Sequence, residues 1–250
     1  MPRIAVVVPC RDAEPWLPET LGSIAAQVRQ PDEVVVVDDG SRDGSAALAE
    51  AWADAVRDHI DARVLRRAPR GVAAATHEAI AATSAELVVR VDADDLVHPD
   101  FLGALEEVLV RCPDVAYAYP ALRAFGDREG RYPTQDFDAA ELVFAGNFVC
   151  AGALMRRAAY ERSGGYVELP AWEDWDLWLR FLEAGDTGVL VDRELYLWRR
   201  HGPTRNTMTV RERRTLRLRI WWRHRRLIGR YWRRGVPALV RRVRNPVRDQ

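Results

Sequence analysis

The stretch Glu86-Leu87-Val88-Val89-Arg90-Val91, followed at once by Asp92-Ala93-Asp94-Asp95, decides how this chain is read. Its first six residues lack the strict polar alternation of a half-exposed strand, so they read as a strand covered on both faces. Three carboxylates crowd the point where it ends. The same pattern lies upstream, where the strand Glu33–Val37 closes in Asp38-Asp39-Gly40-Ser41. A further β-branched run, Ile4–Val8, ends at Pro9, and a strand is expected at Arg63–Arg67. Helical stretches separate these strands over Pro15–Gln27, Ser45–Val56 and the alanine-rich Gly71–Ala82. Pro99 is placed to open another helix, to about Arg111, before a strand near Val115–Tyr119. Buried strands alternating with helices predict an α/β fold of Rossmann-like type, a mostly parallel central sheet with helices on both faces.

Beyond it, Gly126–Phe148 is irregular and reads as a connection across the site. Ala151–Arg156 reads as a strand, followed by a short helix and the Gly164-Gly165 turn. Trp172–Ala184 reads as a helix, and Gly188–Arg199 as one or two strands. A chain of 250 residues suits one domain, here 1–208, with an appendage over 209–250. At 48% hydrophobic and 30% charged residues, global disorder is excluded. No stretch approaches the roughly 18 apolar residues of a membrane-spanning helix, and the run after Met1 is too short for a signal peptide. A cytoplasmic location is therefore expected. Cys10, Cys112 and Cys150 are too widely spaced for a zinc site and odd in number, so they read as buried thiols.

In open parallel sheets, ligands bind beyond the carboxyl ends of the strands. Crowding acids there is unfavourable unless a cation or hydrogen-bond donors offset the repulsion. Asp92 and Asp94, two apart, can face one side of the strand end. Mg²⁺ or Mn²⁺ held by one or two carboxylates, with substrate phosphates completing its shell, matches that supply. The alternative is that such acids merely cap the following helices. On the Trp172–Ala184 helix, Glu173, Asp176, Arg180 and Glu183 form one polar arc, and Trp175, Trp178, Leu179, Phe181 and Leu182 the opposite one. Asp174 falls within the apolar arc and in the first turn, where the helix dipole favours its ionised form. It reads either as a general base facing a cleft or as a capping acid.

In their order, these motifs resemble family 2 glycosyltransferases, the inverting family with the GT-A fold. The resemblance rests on Val6-Val7-Val8-Pro9-Cys10-Arg11-Asp12, Val37-Asp38-Asp39-Gly40-Ser41, Val91-Asp92-Ala93-Asp94-Asp95, and Glu173-Asp174 with Leu177-Trp178-Leu179-Arg180. Arg199-Arg200-His201 looks like the Arg/His segment after the last core strand, and the similarity runs from about Pro2 to Asn206. The resemblance implies a nucleotide-sugar donor, with Pro9, Arg11 and Asp39 on the base side and Arg70 and Gly71 nearby. It implies Asp92 at the ribose, Asp94 on the metal that bridges the diphosphate, and Asp174 as base toward the acceptor hydroxyl. Arg200 would support the diphosphate, and His201 the metal; an ordinary loop histidine is the other reading of His201. Two positions depart from the family's habit: Arg11-Asp12 stands where an aromatic residue and Asn are common, and Thr76-His77 where Arg-Asn often occurs.

The net charge of zero hides an asymmetry. From Arg211 to Gln250 there are 15 arginines against Glu212 and Asp249, a local charge of +13, which leaves −13 on the rest. Interleaved with Trp221, Trp222, Tyr231 and Trp232, these arginines suit a helix on an anionic membrane surface. The family resemblance implies a saccharide or lipid-linked acceptor, which such a place would serve. Packing on the domain or on a second subunit is the other reading of Thr209–Arg234. Nucleic acid is not expected, since acids line the presumed site. Two other functions fit an α/β nucleotide site. A sugar-phosphate nucleotidyltransferase usually has a glycine-rich loop after the first strand, absent from Pro9-Cys10-Arg11-Asp12-Ala13. A non-catalytic nucleotide-sugar-binding partner would have no need of Asp92, Asp94 and Asp174 together.

Overall fold

The computed structural model describes residues 1–202 and 208–244, with side chains as far as 233 and at 235. The 203–207 stretch at the end of the expected catalytic unit, and the tail's last six residues, lie outside the described residues. The chain begins with β1 (Ile4–Cys10), α1 (Leu17–Ala25), β2 (Glu33–Asp38), α2 (Ser45–Val56), β3 (Asp61–Arg66), α3 (Val72–Ala81) and β4 (Leu87–Arg90). The middle holds β5 (Leu96–Val97), α4 (Phe101–Arg111), β6 (Tyr117–Gly126), β7 (Gly130–Arg131) and α5 (Ala139–Phe144). Next come β8 (Leu154–Arg156), α6 (Arg157–Ser163), α7 (Glu173–Glu183) and β9 (Gly188–Arg200), then α8 (Val210–Arg223) and α9 (Arg225–Arg244).

One sheet runs in the order β3-β2-β1-β4-β8-β6-β9-β5, with β7 beside β6. The β1–β2, β2–β3, β1–β4 and β6–β9 pairs are parallel, whereas β8, β5 and β7 run against their neighbours. Mostly parallel is therefore the right description. β1 and β2 pair Val8 with Val36, and β1 and β4 pair Val6 with Val89, so apolar rows align across the sheet. Ile4, Val6 and Val8 face Leu17, Leu21 and Leu105 of α1 and α4. Ala5 and Val7 face the other way, into a core shared with Ala75, Ala79, Trp175 and Trp178 of α3 and α7. Because successive strand residues point to opposite sides, a strand covered on both sides must be apolar throughout. β3, at the edge, is the exposed and charged exception, with Asp61, Arg63 and Arg66. Charges there discourage edge-to-edge pairing.

The strand expected to end at Tyr119 continues to Gly126, because β9 pairs with it over that whole length. The register shifts on both sides of Ala121, next to Pro120, which has no N–H to give the ladder. Such a bulge bends the strand.

The tail does not stand off from this body. A capping box between Thr209 and Glu212 starts α8. Leu216, Ile220 and Leu227 then enter the same core as Trp175 and Trp178. Each buried side chain of this kind contributes about 1.5–3 kcal/mol. Trp221 Nε1 donates to the Val143 carbonyl on α5 at 2.9 Å. The polar arc drawn for α7 is corrected in two places: Glu173, only 6% exposed, is bonded to Arg90 of β4, and Asp176, 0% exposed, lies beneath the tail. A helical wheel assigns the acids to solvent, but Arg223 and His224 at the α8–α9 junction lie over Asp176. Among the described residues, no helix is long and apolar enough to cross a membrane.

Candidate active site

A cleft of about 910 Å³ opens beyond the carboxyl ends of β1, β2 and β4. Pro9, Arg11, Asp39, Gly71, Asp92, Asp94, Asp174 and His201 all line it, supplied by β1 and its loop, by the loops after β2, β3, β4 and β9, and by helix α7. Arg70 and Arg200 do not. Arg70 has an exposed side chain and turns its main-chain N–H to Asp39. The Arg200 guanidinium lies over the Trp198 ring, 4.1 Å from its centre.

Asp39 is buried and accepts from Arg67 Nε at 2.9 Å and from the N–H groups of Arg70 and Gly71 at 2.8 Å each. It thereby fixes the turn that leads into α3. Gly71 holds φ +98° there, and a Cβ on it would lie within 2.5–2.7 Å of the Glu168 carboxylate. Only glycine suits that position.

The acids after β4 divide by role. Asp92 accepts from Arg90 Nε at 2.6 Å, and its N–H donates to the Tyr196 hydroxyl at 3.2 Å. Asp94 Oδ2 and His201 Nε2 lie 2.8 Å apart, with the His201 ring stacked on Trp16 at 3.8 Å between centres. Asp95 is buried and accepts the Arg199 N–H at 2.8 Å, while Arg199 Nε donates to the Asp94 carbonyl. Burial, then the charges of Asp94 and Asp92, push the Asp95 carboxyl well above the usual range. Asp95 therefore ties the end of β9 to the β4 loop, which is how His201 reaches Asp94 from 107 residues away. Among the described residues no three His, Cys, Asp or Glu side chains form a cation cage. The pair Asp94–His201 beside Asp92 fits the other kind of site, where phosphate oxygens and water complete the shell.

Across the cleft, Trp172 adopts a left-handed backbone (φ +61°) at the N-cap of α7, half-buried against Trp175. A non-glycine residue held there is strained, and such strain persists where packing over-determines it. The turn delivers two acids to the cleft. Glu173 accepts from Arg90 Nη1 at 3.1 Å. Asp174 accepts from Asn147 Nδ2 and from the Trp175 N–H, both at 2.8 Å. Burial, then the Glu173 charge, push the Asp174 carboxyl up to about 7, against the opposing pull of Arg90.

Several cleft residues were not anticipated. Arg90 did carry a signal, since a cation inside Leu87–Arg90 must find buried partners. Trp16, Trp172 and Asn147 carried none. Arg217 on α8 lines the cleft with its cation 5.8 Å from the Trp172 ring centre and 5.3 Å from that of Trp175. Nothing in the sequence separates it from the tail's other arginines.

Residues 5–164 match the family model described as glycosyl transferase family 2. EpsE of Bacillus subtilis (strain 168), named as a candidate glycosyltransferase, is 28% identical over 202 residues, 78% of this chain and 72% of its own. The succinoglycan biosynthesis protein ExoU of Rhizobium meliloti (strain 1021) is 31% identical over 200 residues, 73% of this chain and 57% of its own. Among solved structures, S. aureus TarS 1-349 in complex with UDP-GlcNAc superposes with a TM-score of 0.69 at 19% identity, over 83% of this chain and 62% of that one. The mannosyltransferase PcManGT of Pyrobaculum calidifontis, in complex with GDP-Man and Mn²⁺, gives 0.63 at 23%, over 78% and 56%. The fold is thus the expected GT-A fold, and the chain spans less than two thirds of either solved chain.

Proposed function

Because the chain belongs to glycosyl transferase family 2, we propose that it is an inverting enzyme moving a sugar from a nucleoside-diphosphate donor to an acceptor hydroxyl. One observation carries this reading: Asp174, with its carboxyl near 7, shares a cleft with Asp92, Asp94 and His201. A base with a pKa close to working pH is suited to general-base catalysis. Asp174 takes the acceptor's proton, the acceptor oxygen bonds to the anomeric carbon, and the nucleoside diphosphate departs from the opposite face. No enzyme nucleophile takes part.

Pro9, Arg11, Asp39 and Gly71 bind the nucleoside side of the donor, and Asp92 its ribose. Asp94 and His201 would hold a Mn²⁺ or Mg²⁺ ion, which when bound offsets the charge gathering on the leaving diphosphate. The nucleotide sugars held by TarS and PcManGT, and the Mn²⁺ of the latter, support this choice of donor and cofactor. The succinoglycan biosynthesis named for ExoU supports a place in polysaccharide synthesis; a glycolipid product, and a saccharide or lipid-linked acceptor, belong to the same proposal. The tail's outer face, with exposed Leu218, Trp222 and Trp232 among arginines such as Arg219, Arg226 and Arg230, meets an anionic membrane in this reading.

Calorimetry with a panel of UDP, GDP, dTDP and CDP sugars tests the proposal. Donor binding should require Mn²⁺ or Mg²⁺, vanish with EDTA and weaken in Asp94→Asn. Equal affinity in every condition defeats the metal assignment, and no binding of any donor defeats the whole reading.

A further inference from the structure

We propose that Asn147 is a positioning residue for sugar transfer, its side-chain amide orienting the Asp174 carboxylate and holding it ionised. The inference rests on the reading of Asp174 as the base.

Two hydrogen bonds fix the amide. Asn147 Nδ2 donates to Asp174 Oδ2 at 2.8 Å, and Asn147 Oδ1 accepts the Val149 N–H at 3.1 Å. A flipped amide would set oxygen against carboxylate and NH₂ against N–H, so only one orientation satisfies both neighbours. The backbones on either side are also joined. Trp175, next to Asp174, donates its ring N–H to the Leu142 carbonyl of α5 at 2.8 Å. Asn147 follows α5 by three residues, and Asp138 caps that helix by accepting the Glu141 N–H. The donor and the carboxylate therefore move as one unit, which keeps the bond in place before any acceptor arrives.

The charged and titratable groups around Asp174 explain why a neutral donor suits this place. Glu173 beside it on α7 and Asp92 beyond β4 oppose its ionisation, while Arg90 on β4 favours it but is bonded to Asp92 and Glu173. Tyr166 in the α6–α7 loop and Cys150 before β8 are buried groups whose own ionisation is pushed up. An arginine bonded to Asp174 itself would stabilise the carboxylate so far that it no longer accepted a proton near neutral pH. With the Trp175 N–H as its one hydrogen-bond donor, against burial and Glu173, it would stay protonated to higher pH. An amide lies between these limits, since a hydrogen bond to the ionised form favours that form without adding charge.

Asn147→Ser separates positioning from support. A serine hydroxyl can still accept the Val149 N–H, as such side chains do in turns, but it is too short to reach Asp174. Side-chain carboxyl ¹³C NMR on the full chain would follow Asp174, with its resonance identified by its loss in Asp174→Asn. The titration midpoint should rise by about one pH unit in Asn147→Ser and Asn147→Ala. The acidic limb of kcat for release of nucleoside diphosphate from the donor chosen by calorimetry should move equally, with donor KM unchanged. An unmoved midpoint in a normally melting Asn147→Ser protein overturns the role of Asn147, while an inactive Asp174→Asn leaves the base in place. Near-normal turnover in Asp174→Asn overturns the base reading itself, and the proposal with it.

Discussion

Helix α7 carries Asp174 and Asp176 within one turn, and its two faces treat them in opposite ways. On the cleft face, Asp174 accepts from a neutral amide and a main-chain N–H, with Glu173 beside it. Its carboxyl is pushed up to about 7, by burial first and then by Glu173. On the tail face, Asp176 is buried as well, with no exposed surface, yet its carboxyl lies below the usual range. Burial opposes this, but the His224 bond, then the charges of His224, Arg223 and Arg180, outweigh it. Arg180 Nε stands at 2.9 Å, Arg223 Nε at 3.0 Å and His224 Nε2 at 3.1 Å. Burial raises both carboxyls, so burial alone does not decide the chemistry of an acid. The groups bonded directly to it do: Arg180 of α7 itself, with Arg223 and His224 added by the tail.

The comparison breaks most sharply if the two acids can be exchanged in effect. Asp174→Asn should keep donor binding and lose transfer by roughly 10²–10⁴-fold, followed as release of nucleoside diphosphate with the true acceptor. Near-normal turnover would leave Asp174 a helix cap. Asp176→Asn should do the reverse. It removes the charge shared by Arg180, Arg223 and His224, and breaking a buried pair of this kind destabilises by about 3–5 kcal/mol. Urea unfolding checks this, and a loss below about 1 kcal/mol would mean that the cluster is not a structural lock.

Linkage sharpens the contrast further. Asp176 has a depressed folded pKa, so its contribution is fully present above the unfolded value of about 3.9 and is lost as pH falls through the folded value. The stability gap between wild type and Asp176→Asn should therefore narrow in acid. Asp174 has a raised folded pKa, so its contribution is full below about 3.9 and lost as pH rises through about 7. Asp174→Asn, neutral throughout, should melt above wild type at about pH 8, and the advantage should shrink toward about pH 4. A constant difference across that window would contradict the assignment of two opposite environments.

The smallest expected effect concerns the tail's outer face. Trp222→Ala with Arg226→Gln and Arg230→Gln alters exposed residues and leaves Leu216, Ile220 and Leu227 in the core. Binding to anionic liposomes should weaken by about 1 kcal/mol for each arginine removed, less at high salt, with the melting temperature unchanged. Co-sedimentation that does not respond would restrict the tail to its packing role.

Patterns local to the chain determined much of this protein. Unbroken apolar runs fixed which segments become covered strands, because a residue's side of a strand follows from its place in the run. The ends of those runs set Asp39, Asp92 and Asp94 at the rim of a parallel sheet, where topology opens a cleft. The order of the motifs also carried the family. Tertiary structure alone decided the neighbours of each acid. Asp95 and Asp94 are adjacent in sequence, yet one locks β9 and the other meets His201. Asp176 looked like a solvent-facing residue until α8 and α9 returned over it. Asn147, in an irregular segment, gave no sign of its bond to Asp174, 27 residues ahead. The physical reason is one of range. Periodicity reports which side of its own element a residue occupies, whereas charge state and hydrogen bonding depend on groups a few ångströms away that arrive from distant parts of the chain.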